Sequence, residues 1–161
     1  WVNLPAKDKM AAPGYQSITK GDIPAVALPD NGGTLRVIAG RYDDATGPAH
    51  TFSPLNVWDM TLNQGSHLTL NQPEGWSTAL VVLEGNITVN GTAKAGEAQM
   101  VVLSQAGSKL HLEANSDAKV LLMAGAPLNE PIVGYGPFVM NSKSEINEAI
   151  RDFNSGRFGQ I

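Results

Sequence analysis

The sequence predicts an all-β domain, an antiparallel sandwich or closed barrel, with an extended N-terminal arm and one α-helix near its C-terminal end. Three observations predict it. Short apolar runs recur between residues 31 and 124, each closed by turn-forming residues. No helical period occurs anywhere in that stretch. A single amphipathic pattern then begins after residue 141.

Residues 1–30 read as an extended connector. Pro5, Pro13, Pro24 and Pro29 each lack a backbone donor and push the preceding residue toward extended conformations. The apolar residues of this arm (Trp1, Val2, Leu4, Tyr15, Ile18) are too few for a core and need another surface.

Residues 31–134 read as the barrel. Leu35–Ala39 ends at Gly40, Val57–Leu62 ends at Gln64-Gly65, and His67–Leu70 runs into Pro73-Glu74-Gly75. Thr78–Leu83 is a continuous apolar run, the pattern of a strand buried on both faces. Ile87-Thr88-Val89 alternates and meets Asn90-Gly91, the strongest short hairpin signal. Ala98–Leu103, Lys109–Ala114 and Lys119–Met123 complete a series of about eight strands. Closure into a barrel would remove the exposed sheet edges.

Residues 135–161 read as a GPFVMN loop and a helix. The Gly/Pro-punctuated loop around residues 125–141 carries more apolar surface than a solvated loop would. Ser142 with Glu145 three residues on is a capping box. Ile146, Ala149, Ile150 and Phe153 form one apolar stripe, and Asn154-Ser155-Gly156 supplies the stop.

Composition excludes several classes. The chain has 161 residues, no cysteine and a formal net charge of −4. That length buries roughly 70% of the unfolded surface without disulfides, and the absence of cysteine fits a reducing cytoplasm. An acidic chain without a basic stripe is not a nucleic-acid binder, and no apolar run approaches the roughly 20 residues of a membrane span. The opening WVNLPAKDKM has no Met, basic n-region or apolar h-region, so it reads as neither a signal peptide nor a natural start. Further sequence is expected upstream.

The tail PLNEPIVGYGPFVMNSKSEINEAIRDFNSGRFG resembles the closing signature of the pirin family, and the opening WVNLPAKDKMAAPGYQ resembles the segment that enters its second barrel. The resemblance implies a cupin barrel, a double-stranded β-helix or jelly roll, that is the C-terminal half of a two-barrel protein. It implies a mononuclear metal such as iron in an N-terminal barrel that this sequence does not contain. Some relatives are quercetin-degrading dioxygenases and others are regulators.

The family's metal motif has the form H-P-H-R-G-F-E, and the matching stretch here is NQPEGWS, residues 71–77. Asn71 and Pro73 stand at the histidine positions, Ser77 at the glutamate, and Lys109 near the late histidine. A metal with open positions needs imidazoles and a carboxylate, so no metal, cofactor or catalytic residue is expected in this chain. His50, His67 and His111 read as solvated, with an irregular site involving Glu84 or Glu113 the less favoured alternative. Glu74, Glu84 and Glu97 sit beside glycines in turns, and the sequons at Asn86 and Asn90 read as chance.

The expected role is structural: a metal-free cupin domain supporting the N-terminal barrel, or pairing with another copy of itself as a homo-oligomer. The interface residues are Tyr135, Phe138, Val139, Met140, Ile146, Ile150 and Phe153. One alternative makes the chain part of a quercetin 2,3-dioxygenase-type oxidoreductase whose site lies in the N-terminal barrel. A weaker one keeps a small-ligand pocket lined by Trp58, Met60 and Trp76.

Overall fold

The computed structural model describes residues 1–158. Gly159, Gln160 and Ile161, the end of the expected 135–161 segment, lie outside the described residues. In chain order the strands are β1 (Ala25–Ala27), β2 (Gly33–Ala39), β3 (Arg41–Tyr42), β4 (Ala45–Thr46), β5 (Leu55–Leu62), β6 (His67–Asn71) and β7 (Ser77–Glu84). They continue as β8 (Asn86–Val89), β9 (Ala93–Gly96), β10 (Met100–Val102), β11 (Lys109–Ala114), β12 (Ala118–Gly125), β13 (Val133–Tyr135) and β14 (Phe138–Met140). The helix α1 spans Lys143–Asn154. No helix among the described residues is long and apolar enough to cross a membrane.

The chain divides into two units. One is Ile18–Pro127; the other joins Trp1–Ser17 to the chain from Leu128 onward. These cuts differ from those expected after residues 30 and 134. Ala25–Ala27, expected within the connector, pairs antiparallel with β2 at the sheet edge. Pro24 and Pro29 bracket this strand rather than interrupt it, and an edge position tolerates proline.

The first unit is the barrel. A six-stranded sheet runs β1-β2-β5-β12-β7-β10 and a four-stranded sheet runs β6-β11-β8-β9. Because successive strand residues alternate faces, every second residue points inward. On β5 the inward set is Asn56, Trp58, Met60 and Leu62; on β12 it is Ala118, Val120, Leu122 and Ala124. Cross-strand pairing stacks these sets in layers. Trp58, Leu122 and Leu80 form one row, and Met60, Val120 and Val82 the next. Leu68, Leu70, Leu110, Leu112, Ile87 and Val89 face inward from the smaller sheet.

The hairpin expected at Asn90-Gly91 joins β8 to β9. Both residues have positive φ (50° and 69°), and Thr92 N–H donates to Val89 C=O at 3.2 Å. The expectation for β7 needs correction. Thr78, Leu80 and Val82 are buried, but Ala79 and Val81 are only half-buried and Leu83 is exposed. The outer face of this sheet is apolar without being covered within the barrel, so the run of hydrophobic residues signals two apolar faces rather than two buried ones.

In the second unit the segment expected as a loop contains a small hairpin. β13 pairs with β14 across Gly136-Pro137, with Gly136 at φ 55°. The helix α1 packs on this hairpin. Ser142 Oγ accepts from Glu145 N–H at 3.3 Å, and Glu145 Oε2 accepts from Asn141 N–H at 3.0 Å, so the start predicted from Ser142 and Glu145 is the one formed. Glu130 ties the arm to this unit: its Oε2 accepts from Ala6 N–H at 2.7 Å and from Asn141 Nδ2 at 3.3 Å.

Leu80 is fully buried in the middle row of the barrel. Leu80→Ala is therefore expected to cost about 2–5 kcal/mol of unfolding free energy, measured by urea denaturation.

Candidate functional site

The interior of the barrel is hydrocarbon except at one end. There Asn56, Ala124 and Thr78 form the last row across β5, β12 and β7, and Asn56 and Thr78 are both buried. Gln72, just beyond β6, is 7% exposed and joins them through its side chain. Buried amides need partners, and these are arranged as a relay. Arg41 N–H donates to Asn56 Oδ1 at 3.2 Å, and Asn56 Nδ2 donates to Gln72 Oε1 at 3.0 Å. Gly40 makes room for it: a Cβ there would stand 2.0 Å from Asn56 Oδ1, and its φ of 77° is one that side chains rarely adopt. The relay stops at Gln72 Nε2, which is buried and has no partner among the described residues. Trp58 Nε1 is buried and unpartnered as well.

A cleft of about 70 Å³ opens at this end, between the segment after β6 and the turn before β11. Gln72, Trp76, Thr78, Asn90, Ser108 and Lys109 contribute to its wall. Of the three residues expected to line a ligand pocket, only Trp76 does so here. Trp58 and Met60 are 2% and 0% exposed and belong to the core, where Trp58 meets Tyr42 edge-on with ring centroids 5.3 Å apart.

The four positions matched to the metal motif are all out of phase with the interior. Asn71, Pro73, Ser77 and Lys109 are exposed, whereas their neighbours Leu70, Gln72, Thr78 and Leu110 are buried. A one-residue offset exchanges the two faces of a strand, and matching by motif alone does not fix that phase. The correction leaves the chemistry unchanged: two hydrocarbons, an amide and a hydroxyl do not fit a transition ion. No three His, Asp or Glu side chains among the described residues are grouped closely enough to hold a metal.

The histidines lie elsewhere. His67 and His111 are exposed on the outer face of the smaller sheet, where His67 stands opposite Glu113 and Thr69 Oγ1 lies 3.0 Å from His111 Nδ1. A shallow hollow of about 190 Å³ covers this face. His50 is exposed in the segment between β4 and β5. Glu84 pairs with Lys119 at 2.6 Å, and Glu74 Oε1 lies 3.5 Å from Gly107 N.

The residues expected at an interface fall within the second unit. Ile146 is buried, Ile150, Phe138, Val139 and Met140 are half-buried, and Tyr135 and Phe153 are 67% and 61% exposed. Phe138, Phe153 and Phe158 meet edge-to-face, with centroids 5.5–6.1 Å apart. Beside them, Trp1, Leu4, Met10, Phe138, Val139 and Met140 line a groove of about 250 Å³. Sequence reasoning missed a second apolar surface. Leu83, Met100, Val102 and Met123 are exposed on the outer face of the larger sheet. The signal was present in the unbroken Thr78–Leu83 run.

A family profile described as the pirin C-terminal cupin domain matches residues 57–159. The chain belongs to that family. A Pseudomonas aeruginosa protein provisionally named a quercetin 2,3-dioxygenase is 54% identical over 98% of this pirin-type chain and 55% of its own length. Pirin-like protein 2 of Arabidopsis thaliana is 34% identical over 99% of this chain and 51% of its own. A crystal structure of quercetin 2,3-dioxygenase from Acinetobacter baumannii, 55% identical, superposes with a TM-score of 0.93 over 100% of this chain and 56% of that one. The chain thus spans about half the length of these relatives. The pirin-type cupin fold and the relationship to quercetin 2,3-dioxygenases agree with the sequence reading.

Three outcomes test this geometry. Asn56→Leu should cost about 1–3 kcal/mol, because it strands Arg41 N–H and the Gln72 amide. The double variant Asn56→Leu/Gln72→Leu should lose less than the two single losses summed, as a double-mutant cycle in urea would read. Burial pushes the Tyr42 phenol above its usual value, with the Asp43 carboxylate adding to the shift. The folded state then releases this proton later than the unfolded state does. The stability contribution is whole below about pH 10 and falls as pH rises through the folded value. Tyr42→Phe should flatten that part of the alkaline loss in denaturation measured from about pH 9 to 11.

Proposed function

We propose that this domain serves as the metal-free, structural and partner-holding half of a longer pirin-type protein. The observation that carries the reading is the composition of the barrel's inward positions. Leu70, Gln72, Thr78 and Leu110, the buried neighbours of the four motif-matched positions, offer neither an imidazole nor a carboxylate. The surface assigned to the partner is that of the second unit, around Tyr135, Phe138, Val139, Met140, Ile146, Ile150 and Phe153. An exposed aromatic group of this kind is a common mark of an interaction surface. The partner is the N-terminal metal-bearing barrel of the same protein or a second copy of this chain. The absence of cysteine supports a cytoplasmic location.

A second reading is favoured by the relatives named as quercetin 2,3-dioxygenases, of which this chain spans only 55–56%. In that reading the intact protein is a metal-dependent oxidoreductase whose site lies outside this sequence. Both readings assign no metal to the present chain.

The chain as purified should contain far less than one equivalent of iron, copper, nickel, manganese or zinc by elemental analysis. It should consume no oxygen with quercetin. It should also self-associate with increasing concentration in sedimentation equilibrium, less so after Phe153→Ser. One bound metal per chain would refute the reading of the barrel interior, and a strict monomer at all concentrations would refute the reading of the surface.

A further inference from the structure

Among the described residues, the two barrel sheets end at β1 and β10 and at β6 and β9. Three of these edges are blunted: Pro24 and Pro29 bracket β1, Lys94 lies in β9, and β6 begins with His67 and runs into Pro73. Proline and charge are the usual obstacles to pairing between sheet edges. β10 has neither. Residues 98–104 contain no proline and no charged side chain, and Met100 and Val102 are 61% and 69% exposed. The hydrogen bonds to β7 fix which way this edge points. Val82 N–H donates to Gln99 C=O at 3.0 Å, and Leu103 N–H to Thr78 C=O at 2.9 Å. Gln99 and Leu103 therefore turn their backbone groups toward β7, and so does Val101, opposite Leu80. Met100 and Val102 alternate with them and direct N–H and C=O away from β7. Their side chains stand on the outer face beside Val81 and Ala79, adding to the exposed apolar group of Leu83 and Met123.

We propose that β10 pairs antiparallel with β10 of a second copy of this chain about a twofold axis at Val101, joining the two larger sheets edge to edge. An outward row of backbone donors and acceptors is satisfied by an extended strand, and the strand that fits is the same one. In the antiparallel register that pairs all of β10, Met100 meets the partner's Val102, and Val102 the partner's Met100. The backbone groups of both residues already point outward, so each pair exchanges both hydrogen bonds. Each pair also sets a methionine beside a valine on the outer face, a favourable cross-strand contact. The charges permit it: no charged residue lies within 98–104, and Glu97 meets the partner's Gln105 rather than another acid. The assembly closes, because β10 is used up in both copies and the prolines beside β1 oppose extension into a filament. This contact lies in the barrel and asks nothing of the second-unit surface proposed above.

The test weakens the second-unit surface first. A strand contact of three residues is small and belongs to the weak class of interfaces. The Phe153→Ser chain is therefore followed by sedimentation equilibrium up to about 1 mM, the weak end of the affinity scale. It should form a dimer and no larger species. Amide exchange should slow at Met100 and Val102 as concentration rises, while Val101, already bonded to β7, changes little. In the same background, Val102→Lys should weaken the dimer roughly two- to thirtyfold through two lost apolar pairs. Val102→Pro removes an outward donor and keeps the bonds to β7, and should weaken it about five- to 150-fold. If Val102→Pro does not fold, the exposed substitution Val102→Lys and the exchange profile decide. A Phe153→Ser chain that stays monomeric to about 1 mM would overturn the pairing, and self-association of the unsubstituted chain would then still support the second-unit surface. Growth beyond a dimer, no added protection at Met100 and Val102, or an equally strong dimer in Val102→Lys would each overturn it as well.

Discussion

The two-residue period of the β5–β12–β7 ladder governs everything else in the barrel. With β12 hydrogen-bonded on both sides, each inward residue is locked into a row with two others. Shifting β5 or β12 by a residue would bring Asp59 or Lys119 into the interior and carry Trp58 or Val120 out of it. Such a slip would bury a charge and expose a large side chain at once, so the hydrophobic pattern itself excludes it. The same locking decides what occupies the polar end. Asn56 and Thr78 are there because they are two positions beyond Trp58 and Leu80 in the hydrocarbon rows.

That constraint explains which features the sequence discloses. The longer strands, the Asn90-Gly91 turn and the Ser142–Glu145 helix start carry signals local in the chain and form as read, whereas the short β1, β3, β4 and β9 carry none and the expected strand Ala98–Leu103 shortens to β10, Ala98 being a turn residue with φ 61°. The phase of the segment 71–77 does not rest on neighbours. It is set by β6 pairing with β11, residues 38 to 46 positions away (Asn71 with Lys109, His67 with Glu113). Motif matching therefore placed Asn71 and Pro73 at the ligand positions while the fold turned Leu70 and Gln72 inward. The hairpin of β13 and β14 escaped notice for a different reason. Its strands are three residues each, too short for alternation to register, and Gly134, Gly136 and Pro137 resemble loop punctuation.

The second unit shows the limit of local reading more plainly. Ala6 and Glu130 are 124 residues apart and joined by a 2.7 Å hydrogen bond, and Lys9 Nζ donates to Val139 C=O at 3.2 Å. Nothing in the arm announces these partners. What the arm does disclose is need: Trp1, Val2 and Leu4 with no core of their own. The fold places them beside Phe138, Val139 and Met140 around one groove, where Leu4 is half-buried while Trp1 and Val2 stay exposed. The aromatic side chains are identifiable from sequence, whereas their edge-to-face arrangement is a property of the turn at Gly136-Pro137 and the packing of α1.

The amides at the barrel end have an energetic significance of their own. A wholly apolar end would avoid the desolvation of Asn56 and Gln72, and the neighbouring rows show that Leu and Val fit this interior. Glycine at position 40 serves the backbone as well as the amide, since a Cβ there would collide with Leu55 C=O and with Asn56 Oδ1 at a φ of 77°. The relay thus constrains three elements: the start of β3 through Arg41 N–H, the second residue of β5, and the exit from β6. A packing role alone requires only that both ends of the relay be satisfied. The arrangement instead satisfies the inner end with a backbone donor and leaves the outer end as a buried NH₂ without a partner among the described residues, so the relay carries a desolvation cost at Gln72 that its own hydrogen bonds do not offset.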